Sequence, residues 1–142
     1  MIGKTIDEMN VGDAAETAKT VTETDVYLFA GITGDFNPAH VNEAYAKNTF
    51  FKGRIAHGML SAGFISAVLA MKLPGPGTIY LSQTMEFKAP VRIGDTVTAR
   101  VEVTEKLAEK NRVKLRTTCV NQDGTLLVDG EAVIMAPKAA KK

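Results

Sequence analysis

Apolar residues recur at helical spacing near the start of the chain, at Val26, Phe29, Ala30 and Ile32. They follow Thr22-Glu23-Thr24-Asp25, which resembles a capping box with Asp in place of the usual Glu or Gln, and they precede Gly34, a typical helix C-cap. This pattern predicts a helix from about Glu23 to Thr33. Asn37-Pro38 is typical of another helix start and predicts a short helix from Pro38 to about Asn48.

A longer apolar segment predicts a helix from His57 to Leu73. It is hydrophobic on nearly every side, so we expect it to be enclosed by the rest of the molecule. Its apolar stretch, Met59 to Met71, is shorter than the roughly 20 residues that a membrane-spanning helix needs. The segment therefore predicts a buried central helix and not a membrane span.

Four segments with β-branched and alternating residues follow Pro74-Gly75-Pro76-Gly77. They are separated by turn residues and run over Thr78 to Lys88, Thr96 to Lys106, Arg112 to Asn121 and Thr125 to Met135. A weaker alternation over Thr17 to Val21 predicts one opening strand. Together these segments predict an α+β fold, in which a four-strand meander and the opening strand form an antiparallel sheet curled around the central helix.

Composition narrows the picture further. The 142 residues, 45% hydrophobic and 23% charged, suffice for one globular domain, and we expect residues 1–142 to form it. The net charge of +1 gives no indication of a nucleic-acid or anionic-membrane partner. The single Cys119 excludes an intrachain disulfide, and its alternating surroundings predict a buried, inert thiol.

The two ends of the chain carry little chemistry. Asp7 and Glu8 stand where a secretory signal would have an apolar region, so we expect a cytoplasmic protein. Residues 138–142, which contain three lysines, are expected to form a flexible basic tail.

Asp35 and His40 are the strongest candidates for chemistry. On one continuous helix, two residues five apart would lie about 140° apart around the axis, but the Asn37-Pro38 break removes that separation. A carboxylate and an imidazole brought together can hold and activate a water molecule, as in a hydratase or a hydrolase. Taken singly, Asp35 could instead cap a helix, and His40 could be an ordinary surface residue.

Two other kinds of site find no support in the sequence. Two histidines and the distant Cys119 show no metal-ligand spacing, so we expect no metal. A serine nucleophile is also unsupported, because the G-x-S-x-G elbow is missing.

The segment Asp35-Phe36-Asn37-Pro38-Ala39-His40 resembles the D-x-N-P-x-H motif of the MaoC-like (R)-specific enoyl-CoA hydratases, which have the hot-dog fold. Three further segments resemble later parts of that family in the same order: Ala56 to Leu60, Leu73 to Leu81 and Phe87 to Val97. The likeness covers most of the chain. It is closest to the small single-domain type of polyhydroxyalkanoate-forming bacteria, and it implies a place in fatty acid metabolism.

This resemblance implies reversible hydration of a trans-2-enoyl-CoA to a (3R)-3-hydroxyacyl-CoA. The reaction is that of a hydro-lyase and needs no cofactor, because CoA is part of the substrate. The resemblance makes Asp35 and His40 the catalytic pair and Gly58 the source of an oxyanion-hole N–H. It also implies a homodimer whose sheets join edge to edge, or a larger assembly.

Candidate substrate contacts are Asn37, His57, Ser66, Leu69 and Val133. Each has a structural alternative. Asn37 can be only a helix N-cap, and His57 only a hydrogen-bonding anchor for its loop. Ser66 can bond back to a carbonyl one turn earlier, whereas Leu69 and Val133 can pack in the core.

Alternative functions stay open at this point. A hot-dog thioesterase shares the fold and the thioester substrate, but many carry an acid on the central helix, and Met59 to Leu73 contains none. A 3-hydroxyacyl-(acyl-carrier-protein) dehydratase would use the same Asp35 and His40 and differ at the mouth of the tunnel. An acyl-CoA-binding subunit would not need that pair.

The sequence leaves the acyl chain length, the carrier, and the acid and base roles within the pair open. Four basic residues are candidates for contacts with CoA phosphates, or else are solvated surface charges: Lys52, Arg54, Lys88 and Arg92.

Overall fold

The computed structural model describes residues 1–139. Five strands and four helices follow one another as β1 Ala14–Thr20, α1 Glu23–Thr33, α2 Pro38–Val41, α3 Glu43–Ala46, α4 Gly58–Met71, β2 Ile79–Phe87, β3 Thr96–Leu107, β4 Arg112–Val120 and β5 Leu126–Met135. Short 3₁₀ turns lie at Ile6–Glu8 and Ala108–Lys110. The predicted basic tail begins at Lys138, which is exposed, and its last three residues lie outside the described part of the chain.

The predicted helix over Glu23–Thr33 is confirmed at both ends. Asp25 N–H donates to Thr22 Oγ1 (3.1 Å) and Thr22 N–H donates to Asp25 Oδ2 (2.9 Å), so the capping box forms with Asp in the third position. Gly34 ends the helix with φ of 82°, a left-handed conformation that glycine adopts without the penalty of a Cβ atom.

The single helix expected from Pro38 to about Asn48 is instead two short helices, α2 and α3. Asn42 separates them with extended backbone angles (φ −130°, ψ 101°). Its side chain accepts a hydrogen bond from Tyr45 N–H (3.1 Å), so Asn42 caps a new helix instead of continuing the old one.

All five strands form one antiparallel sheet in the order β1-β3-β4-β5-β2. The expected four-strand meander is wrong in one respect, because β2 pairs with β5 and not with β3. The edge of β3 that β2 would need is taken by β1, with Ala15 opposite Val101. Strand β2 therefore adds to the far edge of the sheet and is itself an edge strand.

Helix α4 packs across one face of the sheet. Ile65, Val68 and Leu69 lie in the core with inward-facing residues of the strands, such as Val101 and Leu115. The expectation that the helix is enclosed on every side fails within the protomer, since Met59 is 56% exposed and Met71 71% exposed. A helix lying on one face of a sheet has an outer side, and the described residues leave much of it uncovered.

Among residues 1–139, no helix has the length and apolar character needed to cross a membrane.

Candidate active site

The loop between α1 and α2 fixes the position of Asp35. Its N–H donates to Thr33 Oγ1 (3.2 Å), and its Oδ1 accepts a hydrogen bond from Asn37 N–H (3.2 Å). Asn37 Oδ1 accepts in turn from Ala39 N–H (3.0 Å), as expected of the N-cap of α2. Asp35 Oδ2 has no hydrogen bond to any described residue, so the exposed carboxylate keeps one oxygen for a ligand.

His40 lies in α2 and is half-buried. Its Nδ1 is 2.7 Å from the carbonyl oxygen of Ile55. A carbonyl oxygen only accepts hydrogen bonds, so this contact selects the tautomer with the hydrogen on Nδ1. The lone pair of Nε2 is then free to accept a proton.

His57 precedes α4 and lies behind this pair, with 2% of its surface exposed. Its Nε2 is 2.8 Å from the backbone oxygen of Asp35. Its ring stacks on that of His40, with the centroids 3.9 Å apart and the planes at 28°. Phe29 of α1 packs against the same ring, at 4.8 Å between centroids.

Asp35, His40 and His57 form a cluster of possible metal ligands within 4.8 Å of one another. His40 Nδ1 and His57 Nε2 are committed to backbone oxygens, which leaves one nitrogen on each ring. Ring nitrogens bind a metal in the plane of the ring, and stacked rings direct their lone pairs side by side instead of toward a common point. The geometry suits acid–base chemistry better than chelation.

Gly58 begins α4, and His57 at the N-cap makes no side-chain capping bond to this helix. The first N–H groups of a helix lack internal partners and carry the positive end of its dipole. A Cβ atom built on Gly58 would lie 2.8 Å from Cε1 of Phe87. The glycine thus leaves room both for this aromatic ring and for a ligand approaching the helix terminus.

A cavity of about 510 Å³ adjoins these groups. His40, Gly58 and Ser61 contribute to its wall, and the rest is mostly apolar, including Phe50, Phe51, Met59, Phe87, Val91 and Val128. An apolar cavity with a few converging polar groups is typical of a small-molecule site.

The aromatic wall of the cavity is the part that sequence reasoning missed. Phe50-Phe51 is an aromatic pair in a polar loop, and Phe87 ends an edge strand. These positions could have indicated the cavity wall from the sequence, since exposed aromatic residues in loops and at strand ends often bind ligands.

The other predicted substrate contacts lie away from this cavity in the protomer. Leu69 is 1% exposed and belongs to the core. Val133 lies between the buried Ala132 and Ile134 on β5, so its side chain is on the opposite face of the sheet. Ser66 is half-buried on α4.

The placement of His57 corrects the expectation that it contacts substrate. Its side chain is almost fully buried, and its Nε2 is already bonded to Asp35. The alternative of a loop anchor describes it better. Asn37, likewise, is seen as a helix cap.

Two of the four basic candidates, Arg54 and Lys88, are hydrogen-bonded to carboxylates. Arg54 donates to Glu23 (2.7 Å) and Glu43 (3.3 Å), and the hydrogen bond with Glu23 raises the pKa of the guanidinium and lowers that of the carboxyl. Lys88 lines the cavity and bonds to Glu86, which raises the pKa of the lysine. Neither cation lacks a carboxylate partner.

Cys119 is fully buried, as expected, and burial raises the pKa of its thiol to about 12. A thiol in this state is a poor nucleophile at neutral pH.

Several known proteins are similar to this chain in sequence and in fold. An (R)-specific enoyl-CoA hydratase of Rhodospirillum rubrum is 60% identical over 131 residues, covering 92% of this chain and 90% of the relative. A mitochondrial 3-hydroxyacyl-(acyl-carrier-protein) dehydratase of Solanum lycopersicum is 38% identical, over 91% and 78% of the two chains. The solved structure of an unliganded R-hydratase from Pseudomonas aeruginosa superimposes with a TM-score of 0.91 at 49% identity, covering 99% of this chain and 94% of that one.

The sheet packed on α4 is therefore the hot-dog fold that the sequence resemblance implied. The model of the MaoC-like domain family matches residues 8–124, which include Asp35, His40 and Gly58. With this match and the shared fold, the chain belongs to the MaoC-like domain family.

Proposed function

We propose that this protein is an (R)-specific enoyl-CoA hydratase, which adds water reversibly to a trans-2-enoyl-CoA to give a (3R)-3-hydroxyacyl-CoA. The observation that carries the proposal is that a carboxylate oxygen of Asp35 and a ring nitrogen of His40 lie within 4.8 Å of each other, with His40 in the wall of a largely apolar cavity. The identity of 60% with a hydratase over nearly the whole chain supports it.

Asp35 and His40 hold the attacking water in this proposal. Nε2 of His40 carries a lone pair, because its Nδ1–H donates to Ile55, and it takes a proton from the water as the oxygen attacks C3. Asp35 Oδ2 accepts the second hydrogen bond of the water and orients it. The protonated Nε2 then gives this proton to C2, so that H and OH of one water add across the double bond and His40 returns to its starting state. General acid–base help of this kind contributes roughly 10² to 10⁴ in rate.

Gly58 stabilises the negative charge that develops on the thioester oxygen. Its N–H is at the positive end of α4, and the missing side chain lets the carbonyl approach. One such donor is worth about 3–4 kcal/mol in the transition state.

A homodimer forms part of the proposal. Strand β2 is an edge of the sheet, and its exposed residues include the apolar Ile79, Tyr80 and Leu81. The exposed Met59 of α4 lines a surface depression with Tyr80 and Leu81. An unpaired edge with such side chains favours pairing with a second strand. A second copy of β2 would continue the sheet and cover Met59.

The need for no cofactor beyond the CoA of the substrate and the cytoplasmic location both stay predictions. Acyl carrier protein is the second carrier to consider, because a dehydratase named for that carrier is 38% identical to this chain. The pair Asp35 and His40 would perform the same chemistry on either carrier.

Hydration of crotonyl-CoA tests the proposal. We expect wild type to form the (3R) alcohol, and Asp35→Asn and His40→Ala to lose at least about 100-fold in kcat because each removes one partner of the water. Asp123→Asn is the matched control, since Asp123 lies exposed in the turn before β5. Crotonyl-(acyl carrier protein) in a parallel assay distinguishes the carriers.

A (3S) product would overturn this proposal. So would near-wild-type turnover in either variant of the pair.

A further inference from the structure

His57 is a buried histidine that the proposed chemistry leaves unused. Within residues 1–139, its Nδ1 is the buried side-chain nitrogen or oxygen without a hydrogen-bond partner. Unpartnered buried polar atoms are rare in folded proteins and call for an explanation. The explanation lies in what the rest of the ring contacts.

The ring of His57 joins three separate parts of the chain. Its Nε2 is 2.8 Å from the carbonyl oxygen of Asp35, 22 residues away, so Nε2 carries the hydrogen and donates. One neighbour of the ring is His40, stacked at 3.9 Å between centroids, and another is Phe29 at 4.8 Å. The next residue along the chain is Gly58.

We propose that His57 is a positioning residue that holds Asp35, His40 and Gly58 in register. This inference rests on the proposed hydratase function. The hydrogen bond fixes the Asp35 peptide, the stacked face supports the imidazole of His40, and the covalent bond to Gly58 ties both to the start of α4. Among the hydrogen bonds and ring contacts of the described residues, those of the His57 side chain reach both members of the pair.

The chemistry of the side chain explains why histidine stands here. A phenylalanine would supply the flat face without the donor, and a glutamine would supply the donor without the face. Imidazole supplies both in a narrow space, and its second nitrogen is left without a partner as a result. His57 does not line the cavity, so its effect on the reaction passes through its neighbours.

The loop that carries Asp35 needs such an anchor. It leaves α1 through the left-handed Gly34, and the Asp35 carboxylate is exposed. The local bonds, Thr33 Oγ1 to the Asp35 N–H and Asp35 Oδ1 to the Asn37 N–H, stay within the loop. Only a contact from outside the loop can set its distance from α4, and the bond from His57 is such a contact.

Steady-state kinetics on His57→Phe and His57→Gln test the proposal with crotonyl-CoA. We expect kcat of His57→Phe to fall about 10- to 100-fold, because small displacements of catalytic groups cost rates of that order. KM should change less than about threefold, since His57 does not touch the substrate. His57→Gln should recover at least about threefold of the lost kcat, because its amide can donate to the Asp35 carbonyl.

Phe29→Ala provides a second variant in case the first two fold poorly. It removes support from His57 without changing a polar group, so we expect a smaller fall in kcat, also at nearly constant KM. Ile32→Ala is the control, because the side chain of Ile32 is 82% exposed on the same helix. Near-ultraviolet circular dichroism confirms native packing in each variant.

Wild-type kcat in both His57→Phe and Phe29→Ala would overturn the positioning role. A rise in KM at unchanged kcat would overturn it too, because His57 would then bind substrate. Equal loss in His57→Phe and His57→Gln would show that the donor is not what matters. Each of these outcomes presupposes an active wild type, whereas an inactive wild type would instead defeat the proposed function.

Discussion

Single residues in this site serve the fold and the chemistry together. Asp35 Oδ1 accepts the Asn37 N–H, while Oδ2 stays available to a ligand. His40 bonds to Ile55 through Nδ1, which leaves Nε2 for the proton transfer that we propose. In both cases the structural bond fixes the orientation that the reaction needs, so the structural and functional interpretations of these residues are compatible.

Two variants can separate the two roles of Gly58, which are to donate to the substrate carbonyl and to leave room for the ring of Phe87. Gly58→Ala should lower kcat/KM, because its Cβ would lie 2.8 Å from Cε1 of Phe87. Phe87→Ala removes that clash. If Gly58 serves the substrate carbonyl, the double variant Gly58→Ala/Phe87→Ala should stay at least about tenfold below Phe87→Ala alone, since a methyl group then still obstructs the oxyanion site.

The measurement is kcat/KM for crotonyl-CoA in the wild type, in Gly58→Ala, in Phe87→Ala and in the double variant. Equal activity of the double variant and Phe87→Ala would mean that Gly58 is glycine only to accommodate the ring.

Helix starts set the geometry at the scale of elements. The capping box at Thr22 and Asp25 begins α1, which delivers Phe29 to His57 and ends where the Asp35 loop begins. The N-cap at Asn37 begins α2 and places His40 in its first turn. The end of α1, the start of α2 and the start of α4 thus meet around one site.

Asp25→Ala should reduce the free energy of unfolding by about 1 kcal/mol at pH 7, because it removes half of the capping box. The hydrogen bond from Lys19, together with bonds from Thr22, lowers the pKa of Asp25. A lowered folded pKa means that this stability is fully present above the unfolded pKa, near 3.9, and is lost as the pH falls through the lower folded value.

Urea unfolding between pH 7 and pH 2 measures the free energy of unfolding of wild type and of Asp25→Ala. The difference between these two free energies should become smaller at the acidic end. An equal difference at every pH would contradict a stabilising role of the ionised Asp25. Asp123→Ala, in an exposed turn, is the control and should unfold with nearly the same free energy as wild type.

One side of the protomer exposes apolar residues to solvent. Met59 on the outer side of α4 lines one surface depression with Tyr80 and Leu81 of the edge strand β2, and all three are exposed. Apolar side chains on an unpaired edge are costly in water, so we expect a second copy to cover them.

Light scattering during gel filtration should give wild type twice the 15.2 kDa mass of the chain. Leu81→Lys should shift the protein toward the monomer, because it buries a charge if the edges pair. Val11→Lys, which changes an even more exposed apolar residue outside the β2 edge, should leave the mass at that of the dimer. A monomeric wild type at micromolar concentration would contradict the edge-to-edge dimer.

Local features of this protein are readable from the sequence because their causes are local. The capping residues of α1, the glycine after it and the Asn37-Pro38 start of α2 act over three or four positions, and the bounds of α1 are those expected. The spacing of Asp35 and His40 across this break indicated water chemistry, while the narrowing to an enoyl thioester came from family resemblance.

Long-range contacts settled the remaining features, because their partners are far apart in the chain. Strand β2 lies beside β5 since β1 already occupies the edge of β3. Phe50, Phe51 and Phe87 become one cavity wall only when the loop and β2 meet. The sequence left His57 open as a substrate contact or a loop anchor, and folding places it between Asp35, His40 and Phe29, where it supplies both a donor and a flat ring.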